Sequence, residues 1–322
     1  MHTEIPVLSF ICAALVLAPL PWSIRARNIA ALSIGAWLFI ANIIYVVDAL
    51  IWANNADPRV PVWCDISSSI IVGSHIASPA SCLCICIHLE RVASFCQTST
   101  PVAKRRRTLF ESVMCFGLPI VYMALHLIVQ PRRFDVYEGF GCRPTTYASI
   151  PTIFLMWIPP LFLSVAAVFC AGIAWRHFLY QGVQFSTGGT VSPSPSSLTS
   201  GNYIRLIVMA VLEAFWSIIV LAIVMRFSLS SGLAPWTSFA DVHKDFSVVF
   251  MYSTNVTPAN ATSFLVFSWA AVLIQSIVFF LAFASREETL AEIAGYTSWV
   301  LHRFRKKDNS ILPAIPVHSP DM

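Results

Sequence analysis

Apolar residues gather in seven long runs separated by shorter polar stretches. The runs extend over about 4–22, 29–52, 63–88, 109–130, 150–175, 203–227 and 263–283. A membrane helix needs roughly 20 mostly apolar residues to cross about 30 Å of hydrocarbon, and each run meets that length. The third is the least apolar, with Asp65, Ser67, Ser68, Ser69, His75, Ser78 and Ser81. A helix enclosed by other helices tolerates such groups where a lipid-facing one does not, so this run is expected at the centre of the bundle. The fold class expected is all-α: a polytopic membrane protein with a seven-transmembrane-helix bundle over 1–283, followed by a short tail over 284–322.

Lys and Arg set the orientation. Fourteen fall on the side holding the first loop, including Arg25, Arg27, Arg91 and the run Lys104 to Arg107, against six on the other. That asymmetry places the N-terminus outside and the C-terminus in the cytoplasm, as an odd number of spans requires. Met1 to Pro6 carries no Lys or Arg, so the first run reads as a retained helix rather than a cleaved signal. The sequons at Asn255 and Asn260 both fall in the third outer loop and are candidate glycosylation sites. Of nine cysteines, Cys64 and Cys142 alone lie at the outer face. The oxidising compartment favours a disulfide between them; two unrelated cysteines are the alternative.

Composition narrows the function classes. Of 322 residues, 57% are hydrophobic and 11% charged, and mean hydropathy is +0.72. An ordinary soluble domain carries about 25% charged residues, so a cytosolic enzyme or a disordered chain is excluded. The net charge of +4 forms no basic domain, which argues against a nucleic-acid partner. None of the four lysines lies in the last span, so a retinal Schiff base has no partner there. No metalloprotease, nucleophile-elbow or phosphate-loop motif occurs. Cys82, Cys84 and Cys86 stand at spacings that put the middle thiol on another helix face, which disfavours a metal site. Neither a catalytic constellation nor a cofactor is expected.

An ionisable residue inside a span is a functional candidate by default. Glu213 in the sixth run is the deepest and is a switch candidate; a glutamate that only orients helices is the alternative. Asp48 lies toward the outer end of the second run, and His75 and His126 read as packing histidines. The third outer loop sets Trp236, Phe239 and Phe246 beside Asp241, His243, Lys244 and Asp245. Such a mixture suits a lid or ligand contact surface as well as an interfacial aromatic belt. The loop 176–202 is rich in Ser and Pro and reads as a linker. Beyond the last run, Leu290, Ile293, Thr297, Val300, Leu301 and Phe304 recur at helical spacing, which predicts an amphipathic helix on the inner membrane face.

These features together describe a G-protein-coupled receptor without the signatures of the rhodopsin-like class: the third run ends His88-Leu-Glu-Arg91. Specific matches lie in 19–28 (PLPWSIRARN), 62–67 (VWCDIS), 71–73 (IVG) leading to Pro79-Ala-Ser, and 123–130 (MALHLIVQ). Arg133-Phe-Asp135, Gly141-Cys142, 203–206 (YIRL), Glu213 and 235–243 (PWTSFADVH) complete the set. On these residues the sequence resembles the fungal a-factor-type, or lipopeptide, mating pheromone receptors of class D, with a basidiomycete-like character. The resemblance implies a plasma-membrane receptor for a secreted farnesylated, methyl-esterified peptide. Its expected contacts are Asp65, His126, Trp236, Asp241 and His243. It also implies a heterotrimeric G protein feeding a mating MAP kinase pathway, with Arg91, Arg105, Arg106, Arg107, Arg176 and Arg205 as candidate contacts. The lipid bilayer is the remaining partner, and homodimerisation is left open. A seven-helix small-solute transporter and a receptor-like protein with lost signalling are the alternatives.

Overall fold

A computed structural model describes residues 3–94, 100–186, 200–230 and 232–284. The expected tail helix, the tail itself and residues 187–199 of the expected linker lie outside these residues. The elements are α1 (Glu4–Leu17), α2 (Leu20–Arg25), α3 (Ile29–Ile51), α4 (Pro61–Ala93), α5 (Pro101–Ser112), α6 (Leu118–His126), β1 (Asp135–Tyr137), β2 (Gly141–Arg143), α7 (Ile150–Thr152), α8 (Ile158–Ser186), α9 (Ser200–Ser228), α10 (Phe239–Val242), β3 (Met251–Tyr252) and α11 (Ala259–Ala284).

Among the described residues, six helices are long and apolar enough to cross a membrane. They correspond to the second through seventh apolar runs. The first run divides instead. Its helix α1 has 14 residues, about 21 Å of rise, and stops where Pro19 and Pro21 withhold backbone donors. The chain then turns through α2, and Arg27 takes a positive φ of 50°. Asn28 caps α3 by accepting from the Ala31 N–H at 3.1 Å. α1 packs along α3 and α11, and Trp269 Nε1 donates to Ser9 Oγ at 2.9 Å.

The polar α4 sits at the centre, as its serines predict. Of its apolar window 67% is buried, against 22–56% in the other long helices. It touches α3, α6, α8, α9 and β2. Burial on all sides explains why Cys82, Cys84 and Cys86 are all interior, although i, i+2, i+4 spacing sends them to different faces. Its 33 residues rise about 50 Å, beyond what hydropathy delimits.

Two helices are interrupted at proline. The chain widens into π turns at Val113–Gly117 and Ile153–Trp157, directly before Leu118-Pro119 and Ile158-Pro159-Pro160. Pro119 and Pro160 lack the N–H that would reach the carbonyls of Cys115 and Met156, four residues back. Neighbouring helices satisfy both. Ser33 Oγ and Trp37 Nε1 each donate to the Cys115 carbonyl at 3.2 Å. The Tyr122 hydroxyl donates to the Met156 carbonyl at 2.5 Å. A buried acceptor left unmade is costly. Tyr122→Phe should therefore destabilise the bundle by about 2 kcal/mol, read as a lower midpoint of heat inactivation in detergent. An unchanged midpoint would show that the carbonyl finds another donor.

One end of the bundle carries a feature absent from the hydropathy pattern, a three-stranded sheet of order β2-β1-β3. β1 and β2 form an antiparallel hairpin, and β3 adds in parallel to β1. Gly141 has φ +73°, and a Cβ there would lie 2.5 Å from Asp48 Cγ. Only glycine fits both demands. Cys64 at the start of α4 is bonded to Cys142 of β2, with Cα atoms 5.2 Å apart. Both are fully buried, in a small cluster with Trp52, Phe134 and Val136.

Candidate functional site: a cavity beneath the sheet

Behind the sheet lies a cavity of about 990 Å³. Its walls come from α3, α4, α9 and α11, and its rim from the segments around 131–148 and 232–258. The α9 and α11 walls are largely apolar, with Val220, Val224, Phe227, Phe264, Ala271 and Val272. The α4 wall is polar, with Ser74, His75 and Ser78. Phe227 and Phe264 stack at 4.1 Å and join the two apolar helices near the rim. An apolar wall facing a few converging polar groups is the usual anatomy of a small-molecule or peptide pocket.

The floor is a three-helix joint. Gln275 of α11 donates from Nε2 to Ser78 Oγ of α4 and to Glu213 Oε2 of α9, both at 2.6 Å. An amide nitrogen has two protons, so both bonds form together. Glu213 is 1% exposed, and its second oxygen has no hydrogen-bond partner. Gln275 carries no charge and so escapes a search for ionisable residues within the spans. Its signal is a long amide in the middle of an apolar run.

The rim is tied down by the 232–258 segment. Ala234 N–H donates to the Ala148 carbonyl at 2.8 Å, and Val136 N–H to that of Phe250 at 2.9 Å. Tyr137 and Tyr252 stack at 4.7 Å across β1 and β3. Arg132 holds Asp135 through two bonds of 3.0 and 2.8 Å and lies 4.4 Å from the Phe250 ring centre. That carboxylate bond raises the Arg132 pKa. Burial, then the Asp135 charge, pushes the Tyr137 phenol up to about 12.

Of the five residues expected to meet a ligand, Asp241 lines the cavity. Its carboxylate accepts from Thr237 Oγ1 at 2.5 Å, and its N–H donates to Ser238 Oγ at 3.1 Å. His126 lines a neighbouring space of about 50 Å³ with His75, and its Nε2 lies 3.0 Å from Thr146 Oγ1. Asp65 is paired with Arg133 outside the cavity. His243 is spent on the rim: its ring nitrogens sit 2.7 Å from the carbonyls of Phe239 and Leu127. Trp236 is half-buried away from the cavity lining. Asn255 is exposed in a turn, and Asn260 stands at the cavity mouth in the first turn of α11.

At the opposite end of the bundle, Arg91, Arg105, Arg106 and Arg176 are exposed and Arg205 is half-buried. Arg107 turns inward instead. Its guanidinium pairs with Glu111 at 3.1 Å and lies 3.2 Å from His88 Nδ1. Tyr203 of α9 places its hydroxyl 3.2 Å from the Leu89 carbonyl and 3.1 Å from that of Ala174. One side chain thus clamps α4, α8 and α9, a role that its place in the YIRL segment did not disclose.

Comparison with known proteins bears on this site. Residues 4–305 match the family model described as STE3, pheromone A receptor. The pheromone B beta 1 receptor of Schizophyllum commune is 42% identical over 308 residues, covering 95% of this chain and 57% of that protein. The pheromone B alpha 3 receptor of the same species is 27% identical over 299 residues, 91% of this chain and 47% of the relative. Pheromone receptor 1 of Ustilago hordei is 27% identical over 290 residues, 88% and 79% respectively. The chain spans about half the length of the Schizophyllum relatives it matches.

Proposed function

The chain belongs to the STE3 pheromone A receptor family, and from that premise we propose that it is a G-protein-coupled receptor for a secreted farnesylated peptide mating pheromone. The observation that carries the reading is the cavity of about 990 Å³ in a membrane-helix bundle, apolar on one side and polar on the other. A farnesylated peptide has the same two characters. Hydrocarbon transfer favours burial by about 0.8 kcal/mol per CH₂, so the isoprenoid suits the α9 and α11 wall. The peptide suits the rim, where Asp241, Lys244 and Asp245 lie; Asp65 and His243 act by holding that rim in shape.

In this reading α1 with α2 completes seven spans over 1–283, and the sheet faces the outside of the plasma membrane. The tail from 284, with its amphipathic helix, lies in the cytoplasm. Asn255 and Asn260 are then available to glycosylation. The exposed Arg91, Arg105, Arg106 and Arg176, with Arg205, meet the heterotrimeric G protein, and Arg107 serves the bundle. Ligand shifts a population between two arrangements by binding one of them better. Glu213 is the switch residue, since its helix α9 also carries Tyr203, about 15 Å away by helical rise. The G protein drives the mating MAP kinase pathway; the chain itself performs no catalysis.

The test is a reporter assay in a yeast lacking its own pheromone receptors. A panel of synthetic farnesylated peptides should include one that activates the reporter, and its unfarnesylated form should be at least about tenfold weaker, as the hydrocarbon contribution requires. Silence toward the whole panel from protein present at the cell surface would overturn the reading. A solute-uptake assay would then follow.

A further inference from the structure

Two residues that line the cavity each carry a buried N–H donor with no acceptor. Arg143 is 8% exposed and lines it. Its Nη2 donates to the Phe140 carbonyl at 2.7 Å, and its Cζ lies 4.2 Å from the centre of the Tyr45 ring, another lining residue. Its Nη1 is buried without a partner. Trp216 of α9 also lines the cavity, and its Nε1 is likewise buried and unpartnered.

The surroundings explain why Arg143 is left with a free hand. Asp135 stands directly opposite it across the hairpin, but both carboxylate oxygens of Asp135 are taken by Arg132. Asp48 lies under Gly141, on the same face of β2 as Arg143. It attracts the guanidinium through space, but its Oδ1 accepts from Trp63 Nε1 at 2.7 Å, and its Oδ2, like Arg143 Nη1, is buried without a hydrogen-bond partner. The cation is therefore held by the Phe140 carbonyl and the Tyr45 ring while one N–H remains unpaired. A buried donor without an acceptor is costly, and native interiors keep few of them. Two among the residues lining one cavity call for an occupant.

We propose that Arg143 and Trp216 are the hydrogen-bond anchors for two acceptor oxygens of the molecule that fills the cavity. The chemistry fits carbonyl oxygens of a peptide or ester, or a carboxylate. Arg143 is two residues along β2 from the fixed Gly141, so its anchor belongs to the rim. Trp216 stands twelve residues before the end of α9, roughly 18 Å below that end by helical rise. The two anchors thus select an extended ligand with acceptors at both depths and hydrocarbon against the wall between.

This inference rests on the pheromone reading, and the test keeps the two apart. The full chain is expressed in yeast lacking its own receptors, with the farnesylated peptide to which the wild type responds. That response fixes the probe before any variant is compared, so failure of the pheromone reading registers in the wild type and failure of this inference only in the variants. At equal surface level, Arg143→Ala should raise the half-maximal dose roughly ten- to hundredfold, and Trp216→Phe roughly three- to tenfold. Arg226→Ala, which removes an exposed cation outside the cavity, should leave the dose unchanged. Should Arg143→Ala fail to reach the surface, Arg143→Lys keeps the charge, loses the planar fork and should still shift the dose. Peptide analogues with single carbonyls reduced to methylenes give the readout that a structural role would not move. One analogue should lose potency on the wild type and no further potency on Arg143→Ala. Superimposable dose curves, or equal sensitivity of wild type and variant to every analogue, would overturn the proposal.

Discussion

Replacing Cys64 with serine should remove most of the receptor from the cell surface. The Cys64–Cys142 bond closes a loop of 78 residues. On the chain-entropy model such a closure stabilises by about 4.5 kcal/mol, comparable with the whole stability of many domains. The bond also fixes β2 to the start of α4, and β1 and β3 hang in turn on β2. Surface labelling of Cys64→Ser, of Cys142→Ser and of the double variant measures the effect. All three should lose a similar, severalfold share, because either single change removes the whole bridge. A double variant much worse than both singles would mean that the two thiols act separately.

The second large effect belongs to Gln275. Leucine there removes both bonds of the floor joint and leaves the Glu213 carboxyl buried with neither oxygen paired. A lost hydrogen bond to a buried polar or charged group costs about 3 kcal/mol. Gln275→Leu should therefore fall sharply in surface level and heat resistance. Gln275→Leu with Glu213→Leu should recover much of the loss, since replacing a buried polar pair by apolar groups of similar shape is nearly neutral. Under the proposed function, that recovered variant should be stable yet altered in pheromone response, which would separate an architectural part of the joint from a part in signalling. If the double variant is no more stable than Gln275→Leu alone, the joint is not what holds α4, α9 and α11 together.

Six long helices were legible because a lipid solvent imposes a length on any apolar segment that crosses it. The central place of α4 was legible for a related reason: its serines and His75 are tolerable only where other helices enclose them. Ends were less legible. α4 continues to Ala93, and α5 begins at Pro101, through polar residues that hydropathy assigns to loops. Hydropathy runs unbroken through Pro19 and Pro21, although both lack the donor a helix interior needs. The sheet was hidden because β1 and β2 have three residues each and β3 two, too few for an alternation to register.

The site was harder still. A cavity is a property of the gaps between helices, and Val220, Phe264 and Val272 look the same in sequence whether they face lipid or a ligand. Charge drew attention to Asp65 and His243, which the fold uses on Arg133 and on rim carbonyls. In sequence, Arg143 is one of the six cations on the outer side and bears only on orientation. Its meaning depends on Asp135 being committed to Arg132, a fact of pairing across a hairpin rather than of residue type.

The two proline breaks have a mechanical side. A helix resists bending through its ladder of carbonyl bonds, and at Pro119 and at Pro159-Pro160 that ladder is already interrupted. Compliance is thereby concentrated at two fixed fulcrums while the flanking segments stay stiff. For the α5–α6 rod the arms are twelve and nine residues, roughly 18 and 14 Å by helical rise. A sideways push on the short arm, beside the rim, reappears at the far tip reversed in direction and slightly enlarged. The clasp of Tyr122 on Met156 joins this rod to its neighbour close to both fulcrums, where displacement is least. Leverage can thus pass along the pair without tearing the bond that keeps them side by side.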